Sequence, residues 1–159
     1  RVLGRRFSVM AVPGHTLDHI AFFADGTPPL LLCGDTLFCG GCGRLFEGSP
    51  EQMYDSLTRL AALPENTLVF AAHEYTLANL RFAQAAEPNN ATRDALLREC
   101  QRARELERPT LPSTIGRERQ INPFLRTSSA EIKAAAAAQG PTDSPQATFS
   151  TLRAWKDNF

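Results

Sequence analysis

Three side chains that could bind a metal ion lie where predicted strands end. His15 follows a strand-like segment, Asp35 ends the apolar run "LLLCG", and His73 ends "TLVFAA". Loops at strand ends are where a rigid sheet can present several ligands together. Histidine and carboxylate ligands suit zinc, iron or manganese in catalytic sites. The repeated position predicts a metal site, although each residue alone would also suit a turn or a hydrogen-bonding role.

A second histidine, His19, lies four residues after His15, a spacing that would form a zinc-binding pair on a helix. The segment reads instead as a loop that enters a strand. We therefore predict that His15 is the ligand and that His19 supports the ligands or the structure.

The C-x-x-C at Cys39 and Cys42 suggests two other chemistries. A structural zinc site needs four ligands, and the remaining cysteines, Cys33 and Cys100, fall inside a predicted strand and a predicted helix. A thioredoxin-like redox pair would open a helix, whereas glycines fill and follow this pair. We interpret "FCGGCG" as an irregular glycine loop and keep a dithiol redox protein as an alternative.

Basic and aromatic residues form a second group. Arg44 follows the glycine loop, Tyr75 follows His73, and Arg153 and Lys156 share a face of the last predicted helix. Each charge alone would suit a solvated surface. Close to a metal site, the group would hold an anionic substrate, because Arg and Lys bind carboxylates.

The segments that carry the candidate site residues predict a mixed α/β fold that becomes all-helical near residue 76. Short strands and the helix "SPEQMYDSLTRLAAL" come first, and Ser49 with Gln52 predicts a capping box at its start. Helices follow, interrupted by the proline-bearing loop "RPTLPSTIGRERQINPF". A second capping box is predicted at Ser128 and Glu131. The sequence thus predicts an α/β part followed by an all-helical part.

The composition of the chain argues against several classes of function and partner. The 159 residues are 43% hydrophobic, and Lys+Arg 17 balance Asp+Glu 17, so no nucleic-acid or membrane partner is expected. No apolar run reaches the roughly 18 residues of a transmembrane helix. Four unevenly spaced cysteines do not resemble a secreted disulfide framework, which favours a reducing cytoplasm.

The motifs "VPGHTLDHI", "CGDTLFCGGCGRLFEG", "HEYTLANLRFA", "PSTIGRERQINPFLR" and "LRAWKDNF" resemble glyoxalase II, the hydroxyacylglutathione hydrolase family of the metallo-β-lactamase superfamily. The resemblance covers about Val12 to Phe159. It implies the second half of an αβ/βα sandwich over residues 1–76 and a helical glutathione-binding domain over residues 77–159.

The resemblance also assigns roles. It implies that His15, Asp35 and His73 bind two divalent metal ions, with zinc as the first choice and iron or manganese as alternatives. Asp35 would bridge the two ions. Substrate-binding roles are implied for a further set of residues: Arg44, Tyr75, Arg153 and Lys156.

The sequence departs from the family pattern in two ways. Phe46 stands where the family has a tyrosine, so it cannot supply that hydroxyl. The family's upstream His-x-His-x-Asp-His cluster is missing, and the chain, with three histidines, starts without Met. The expectation is therefore a C-terminal portion of the family protein, whose uncovered sheet would favour self-association.

The expected reaction of the intact family protein is hydrolysis of the thioester S-D-lactoylglutathione to glutathione and D-lactate. The 159 residues alone are expected to be inactive. The alternatives are a non-catalytic glutathione- or partner-binding module and the dithiol redox protein.

Overall fold

The computed structural model describes residues 4–159 as seven strands and six α-helices. The strands are β1 (Ser8–Ala11), β2 (Ile20–Ala24), β3 (Leu30–Gly34), β4 (Leu37–Phe38), β5 (Gly41–Cys42), β6 (Leu68–Ala71) and β7 (Ser113–Thr114). The α-helices are α1 (Pro50–Ala61), α2 (Thr76–Ala86), α3 (Ala91–Glu105), α4 (Ile115–Ile121), α5 (Ala130–Ala136) and α6 (Pro145–Asp157). A 3₁₀ turn covers Pro123–Leu125.

Five strands form one mixed sheet in the order β1-β2-β3-β6-β7. β3 and β6 are parallel, and the other neighbouring pairs are antiparallel. Parallel neighbours need a crossover connection, and α1 lies in the one between β3 and β6. Because β3 and β6 run the same way, their carboxyl ends, followed by Asp35 and His73, meet at one edge of the sheet.

The two faces of the sheet differ in burial. Ala21, Leu31 and Val69 are fully buried on the face that packs against helices. On the opposite face, a row of cross-strand partners is exposed: Val9 (62%), Phe22 (38%), Leu32 (40%) and Phe70 (36%). We call this row the apolar sheet face.

Helix α1 begins as the sequence predicts. The Ser49 hydroxyl accepts the Gln52 N–H at 3.2 Å, the Gln52 side chain accepts the Ser49 N–H at 2.9 Å, and Pro50 occupies the first turn. Its Met53, Leu57 and Leu60 are buried in the core. This core also contains residues of the C-terminal half, such as Phe82, Phe124 and Phe149.

Three local predictions are wrong. The glycine loop is a short β4–β5 hairpin, since paired backbone groups give it regular structure that its composition conceals. The proline-bearing loop contains β7 and α4, because Ser113 pairs with Val69 of the sheet. Helix α5 is capped by Ser129, whose hydroxyl accepts the Ile132 N–H, and not by Ser128.

None of the helices within residues 4–159 combines the length and the apolar character needed to cross a membrane.

Candidate functional site

An open cavity of about 580 Å³ brings together all seven predicted site residues. It lies at the sheet edge where β3 and β6 end, between the β4–β5 hairpin, α2 and α6. The seven are His15, Asp35, Arg44, His73, Tyr75, Arg153 and Lys156, and Phe38, Cys42, Gly43, Phe46, Ala78 and Asn79 complete the lining.

Asp35 and His73 are in direct contact. His73 Nε2 lies 2.9 Å from Asp35 Oδ1, and the two side chains are 47% and 28% exposed. The His73 ring stacks on Tyr75, with centroids 4.8 Å apart and planes 15° from parallel. Stacking on one side and the carboxylate on the other fix the imidazole in the cavity.

His15 lines the same cavity and is oriented through its other nitrogen. Its Nδ1 lies 2.8 Å from the Arg44 carbonyl oxygen. Because a carbonyl oxygen only accepts, Nδ1 is the donor in this contact, and in the neutral ring Nε2 carries the lone pair. In that tautomer Nε2 is the nitrogen that can bind a metal ion.

His19 supports Asp35 from behind. Its Nε2 accepts the Asp35 backbone N–H at 3.1 Å, and its Nδ1 lies 3.1 Å from the Ile20 carbonyl oxygen. Gly34 has φ +53°, and a Cβ there would lie 2.6 Å from the His19 ring. The close approach of this ring therefore requires glycine at position 34.

These donors fit a divalent metal ion by type, since imidazole nitrogen and carboxylate oxygen are its usual ligands. The number of ligands is small. Within the described range 4–159, no three His, Cys, Asp or Glu side chains stand close enough to hold a metal ion together. The described chain therefore presents a partial ligand set, built on the Asp35–His73 contact.

The cationic residues of the cavity differ in how they are bonded. Arg153 is 3% exposed, and its guanidinium donates to the Cys42 carbonyl oxygen at 2.7 Å and to Asp157 at 2.8 Å. Its buried Nε has no partner within the described chain. Burial lowers the pKa of the Lys156 ammonium, and the neighbouring Arg153 guanidinium lowers it further.

Arg44 is the more exposed cation of the cavity. Its side chain is 64% exposed and lies 3.9 Å from Asp157, a distance at which an exposed ion pair is weak. Phe46, at the departure from the family tyrosine, is 70% exposed and its ring centroid lies 4.9 Å from that of His15.

The two cysteines of the hairpin are unsuited to redox chemistry. Both are free thiols and buried, at 2% exposure for Cys39 and 3% for Cys42. Burial raises the pKa of both thiols, well above the ordinary value for Cys39. A reactive dithiol needs an accessible, stabilised thiolate, so this geometry opposes the redox alternative.

A larger cavity of about 740 Å³ lies between α1 and the segment that precedes α5. Its arginines are used within the fold. Arg119 donates to the carbonyl oxygens of Ala61 and Leu63, and Arg126 forms a salt bridge with Glu87 at 2.6 Å. The smaller cavity is therefore the candidate site.

Family models match both halves of the chain. The model described as hydroxyacylglutathione hydrolase C-terminus matches residues 74–159, and that of the metallo-beta-lactamase superfamily matches residues 1–73. The chain belongs to the hydroxyacylglutathione hydrolase family. The resemblance read from the motifs is thus confirmed, and the mixed sheet with its helices agrees with the implied fold.

A curated relative supports the same assignment, and two solved structures have a similar fold. The chain is 74% identical to the hydroxyacylglutathione hydrolase of Chromohalobacter salexigens, over 100% of this chain and 62% of the relative. A crystal structure of ETHE1 from Myxococcus xanthus has a TM-score of 0.54 at 27% identity, covering 98% of this chain and 55% of that one. TTHA1623, crystallised in a di-iron-bound form, has a TM-score of 0.50 at 28% identity. The match covers 79% of this chain and 44% of TTHA1623. The chain thus spans about 62% of the curated relative's length.

The sequence patterns did not reveal the buried polar residues of this chain around the hairpin. Glu118 and Asn122 lie in motifs that were recognised, but their side chains were given no role. The available signal was the spacing of Glu118, which lies three residues from both Ile115 and Ile121 and so places a carboxylate on the apolar face of α4.

Proposed function

We propose that this chain forms the substrate pocket and part of the metal site of an enzyme that hydrolyses S-D-lactoylglutathione to glutathione and D-lactate. The observation that supports this most is the convergence, in one cavity, of the Asp35–His73 contact with the cations Arg44 and Lys156. Membership of the hydroxyacylglutathione hydrolase family supplies the substrate class.

In this proposal His15, Asp35 and His73 hold divalent metal ions, with zinc first and iron or manganese as alternatives. Bound metal supplies Lewis acidity and a water of lowered pKa. The di-iron form of TTHA1623 keeps iron among the candidates.

The chain's own residues orient the substrate. Lys156 and Arg44 bind the carboxylates of the glutathione part, and Tyr75 lines the cavity beside His73. In the overall reaction, a water oxygen bonds to the thioester carbonyl carbon, the C–S bond breaks, and the sulfur leaves as the glutathione thiolate. Of the two water protons, one protonates the thiolate to glutathione and the other is released to solvent as the D-lactate carboxylate forms. Holding the thioester in place lowers the entropic part of the barrier.

A chimera tests the proposal. In this chimera, the part of the Chromohalobacter relative that has no counterpart in this chain is fused to the chain. We expect it to hydrolyse S-D-lactoylglutathione, and we expect an Asp35→Asn chimera to lose activity by at least about 100-fold. A Glu105→Gln chimera, changed at the far end of α3, is the matched control. A folded chimera without activity, or with activity equal in the Asp35 variant, would refute the proposal.

The partial ligand set favours a second candidate for the chain by itself, a glutathione-binding module without catalysis. Both candidates bind glutathione, so calorimetry on the metal-free chain is combined with the chimera assay. Glutathione binding together with a folded but inactive chimera supports the module, whereas hydrolysis by the chimera contradicts it.

We further propose a self-association surface, a cellular compartment and a domain boundary for this chain. The apolar sheet face would pair two copies of this chain, since contiguous exposed apolar surface favours association. The four free thiols suit a reducing compartment such as the cytoplasm. The division into domains 1–76 and 77–159 lies close to the point where the two family models meet.

A further inference from the structure

A buried carboxylate, Glu118, lies behind the cavity and does not contact the metal ligands or the substrate-binding cations. Glu118 lies on α4 with 0% exposure. A buried carboxylate is costly unless donors surround it, so its position calls for an explanation. Glu118 does not line the cavity and therefore does not meet the substrate.

The donors to Glu118 come from the hairpin, from β7 and from Asn122, the residue that follows α4. Its Oε2 accepts the Gly40 backbone N–H at 2.9 Å and the Asn122 side-chain N–H at 2.9 Å. Its Oε1 accepts the Ser113 hydroxyl at 2.6 Å. The first of these bonds joins residues that are 78 positions apart in the chain.

Asn122 extends the same network to the hairpin carbonyls. Its amide nitrogen donates to the Gly41 carbonyl oxygen at 3.0 Å and to that of Phe38 at 3.3 Å. From α2, the Asn79 amide donates to the Cys39 carbonyl oxygen at 3.1 Å. Side chains from the helices therefore hold the hairpin backbone at each residue from Phe38 to Gly41.

The glycines of the hairpin allow this close approach. Gly40 has φ +71°, and a Cβ there would lie 2.8 Å from the Leu80 side chain. A Cβ on Gly41 would lie 2.6 Å from Asn79. The hairpin is thus pressed against α2 and fixed by α4, and it has little freedom to shift.

The same hairpin forms one wall of the cavity. Phe38 lies edge-on to Tyr75, with ring centroids 5.3 Å apart. Just beyond β5, Gly43 donates its N–H to the Thr36 carbonyl oxygen at 3.1 Å, and a Cβ on Gly43 would overlap the Asp35 carbonyl oxygen. A displacement of the hairpin would therefore reach Tyr75, Asp35 and the segment that carries Arg44.

We propose that Glu118 is a positioning residue for substrate binding, which acts by fixing the β4–β5 hairpin through Gly40 and Asn122. The ligand concerned is the glutathione part of the thioester, so the inference rests on the proposed function. The rival explanation is that Glu118 only contributes to stability, with no effect on the cavity.

Two substitutions at Glu118 separate these explanations. In Glu118→Gln the amide oxygen can still accept from Gly40 and Asn122, while the amide N–H₂ donates to the Ser113 hydroxyl. Glu118→Leu has similar volume and removes the carboxylate that accepts from the Gly40 N–H, the Asn122 amide and the Ser113 hydroxyl. Ile115→Ala, a fully buried position on the same helix, is the control for a general loss of stability.

Two readouts on the 159-residue chain are used. Calorimetry gives the Kd for glutathione, and hydrogen exchange gives the rate at the Gly40 amide relative to the Leu97 amide in α3. In Glu118→Leu we expect glutathione to bind about 10-fold more weakly and Gly40 to exchange at least about 10-fold faster relative to Leu97. In Glu118→Gln, the Kd for glutathione and the relative exchange rate of Gly40 should both stay near the wild-type values. In Ile115→Ala, the Kd for glutathione should stay at the wild-type value.

The outcomes distinguish the two proposals. Glutathione binding by Glu118→Leu at the wild-type Kd would overturn the positioning role. An equal loss of glutathione affinity in Glu118→Gln and Glu118→Leu would also overturn the positioning role. If Glu118→Leu does not fold, Glu118→Asp, which keeps a carboxylate but withdraws it from Gly40, is expected to show the same two changes. A wild-type chain that does not bind glutathione would refute the proposed function, and the Gly40 exchange would still show whether Glu118 holds the hairpin.

Discussion

Replacing Lys156 by Met should separate substrate binding from stability on helix α6. The ammonium Nζ lies 5.9 Å from the centroid of the Phe82 ring, and burial lowers its pKa. The charged form of Lys156 is therefore disfavoured by folding, and a Met of similar length removes this cost. We expect the free energy of unfolding at pH 7 to stay within about 0.5 kcal/mol of wild type or to rise.

The neighbouring Arg153 supplies the matched comparison. Arg153→Met removes the bonds to the Cys42 carbonyl oxygen and to Asp157, and the side chain is 4% exposed. Bonds from a charged donor contribute about 1.5–3 kcal/mol each, and an acceptor would be left buried, so a loss of about 3 kcal/mol is expected. For a chain of this size that loss lowers Tm by roughly 6–12 °C.

Binding should respond differently from stability. A lost ammonium–carboxylate bond of about 1.5–3 kcal/mol weakens glutathione binding by roughly 10–150-fold in Lys156→Met. Calorimetry gives the Kd, and thermal unfolding gives Tm. Wild-type affinity in Lys156→Met, or a fall in its Tm as large as that of Arg153→Met, would refute the reasoning.

Titration of Lys156 should make the stability of the folded chain depend on pH with a definite sign. Because the folded pKa of Lys156 is below its ordinary value of 10.5, the unfolded chain binds more protons between the two pKa values. Wild-type stability should therefore gain a positive contribution as pH rises towards 10.5. This contribution should be missing from Lys156→Met, as denaturant unfolding at a series of pH values would show.

Three further predictions concern the site and the sheet. Asp35→Asn should weaken zinc binding by at least about 10-fold in calorimetry; equal affinity would place the metal elsewhere. Gly34→Ala should cost about 2–4 kcal/mol in denaturant unfolding, because φ is +53° and the His19 ring fills the space of a Cβ; an unchanged midpoint would contradict that packing. Phe22→Ser should shift the chain towards monomer in sedimentation velocity, since it interrupts the apolar sheet face; an unchanged distribution would exclude this face as the contact.

Local patterns along the chain predicted much of the fold. The strand at Leu30–Gly34 and the capping box of α1 follow from short-range rules, because a buried apolar run and a Ser-x-x-Gln motif carry their own signal. The positions of Asp35 and His73 after two strands were also predicted. Their 2.9 Å contact was not, because it depends on β3 and β6 being parallel neighbours.

The missed features depend on contacts that are distant in sequence. The residues of β7 form a strand because Ser113 and Thr114 meet β6, and two residues alone carry no strand signal. Arg153 shares a helix face with Lys156, as predicted, yet its guanidinium is bonded to the hairpin backbone. Whether a cation faces solvent or backbone is decided by tertiary packing, which spacing along a helix does not reveal.

The pairing of β7 with β6 has a consequence for how the chain folds. During synthesis from the N-terminus, β6 is complete well before Ser113 and Thr114 emerge, so one edge of the sheet stays open in the interval. An open edge can pair with another chain, which makes the nascent chain prone to aggregation in this interval. The C-terminal half therefore protects the nascent sheet as well as completing it, and a chain stopped before β7 would keep that edge unprotected.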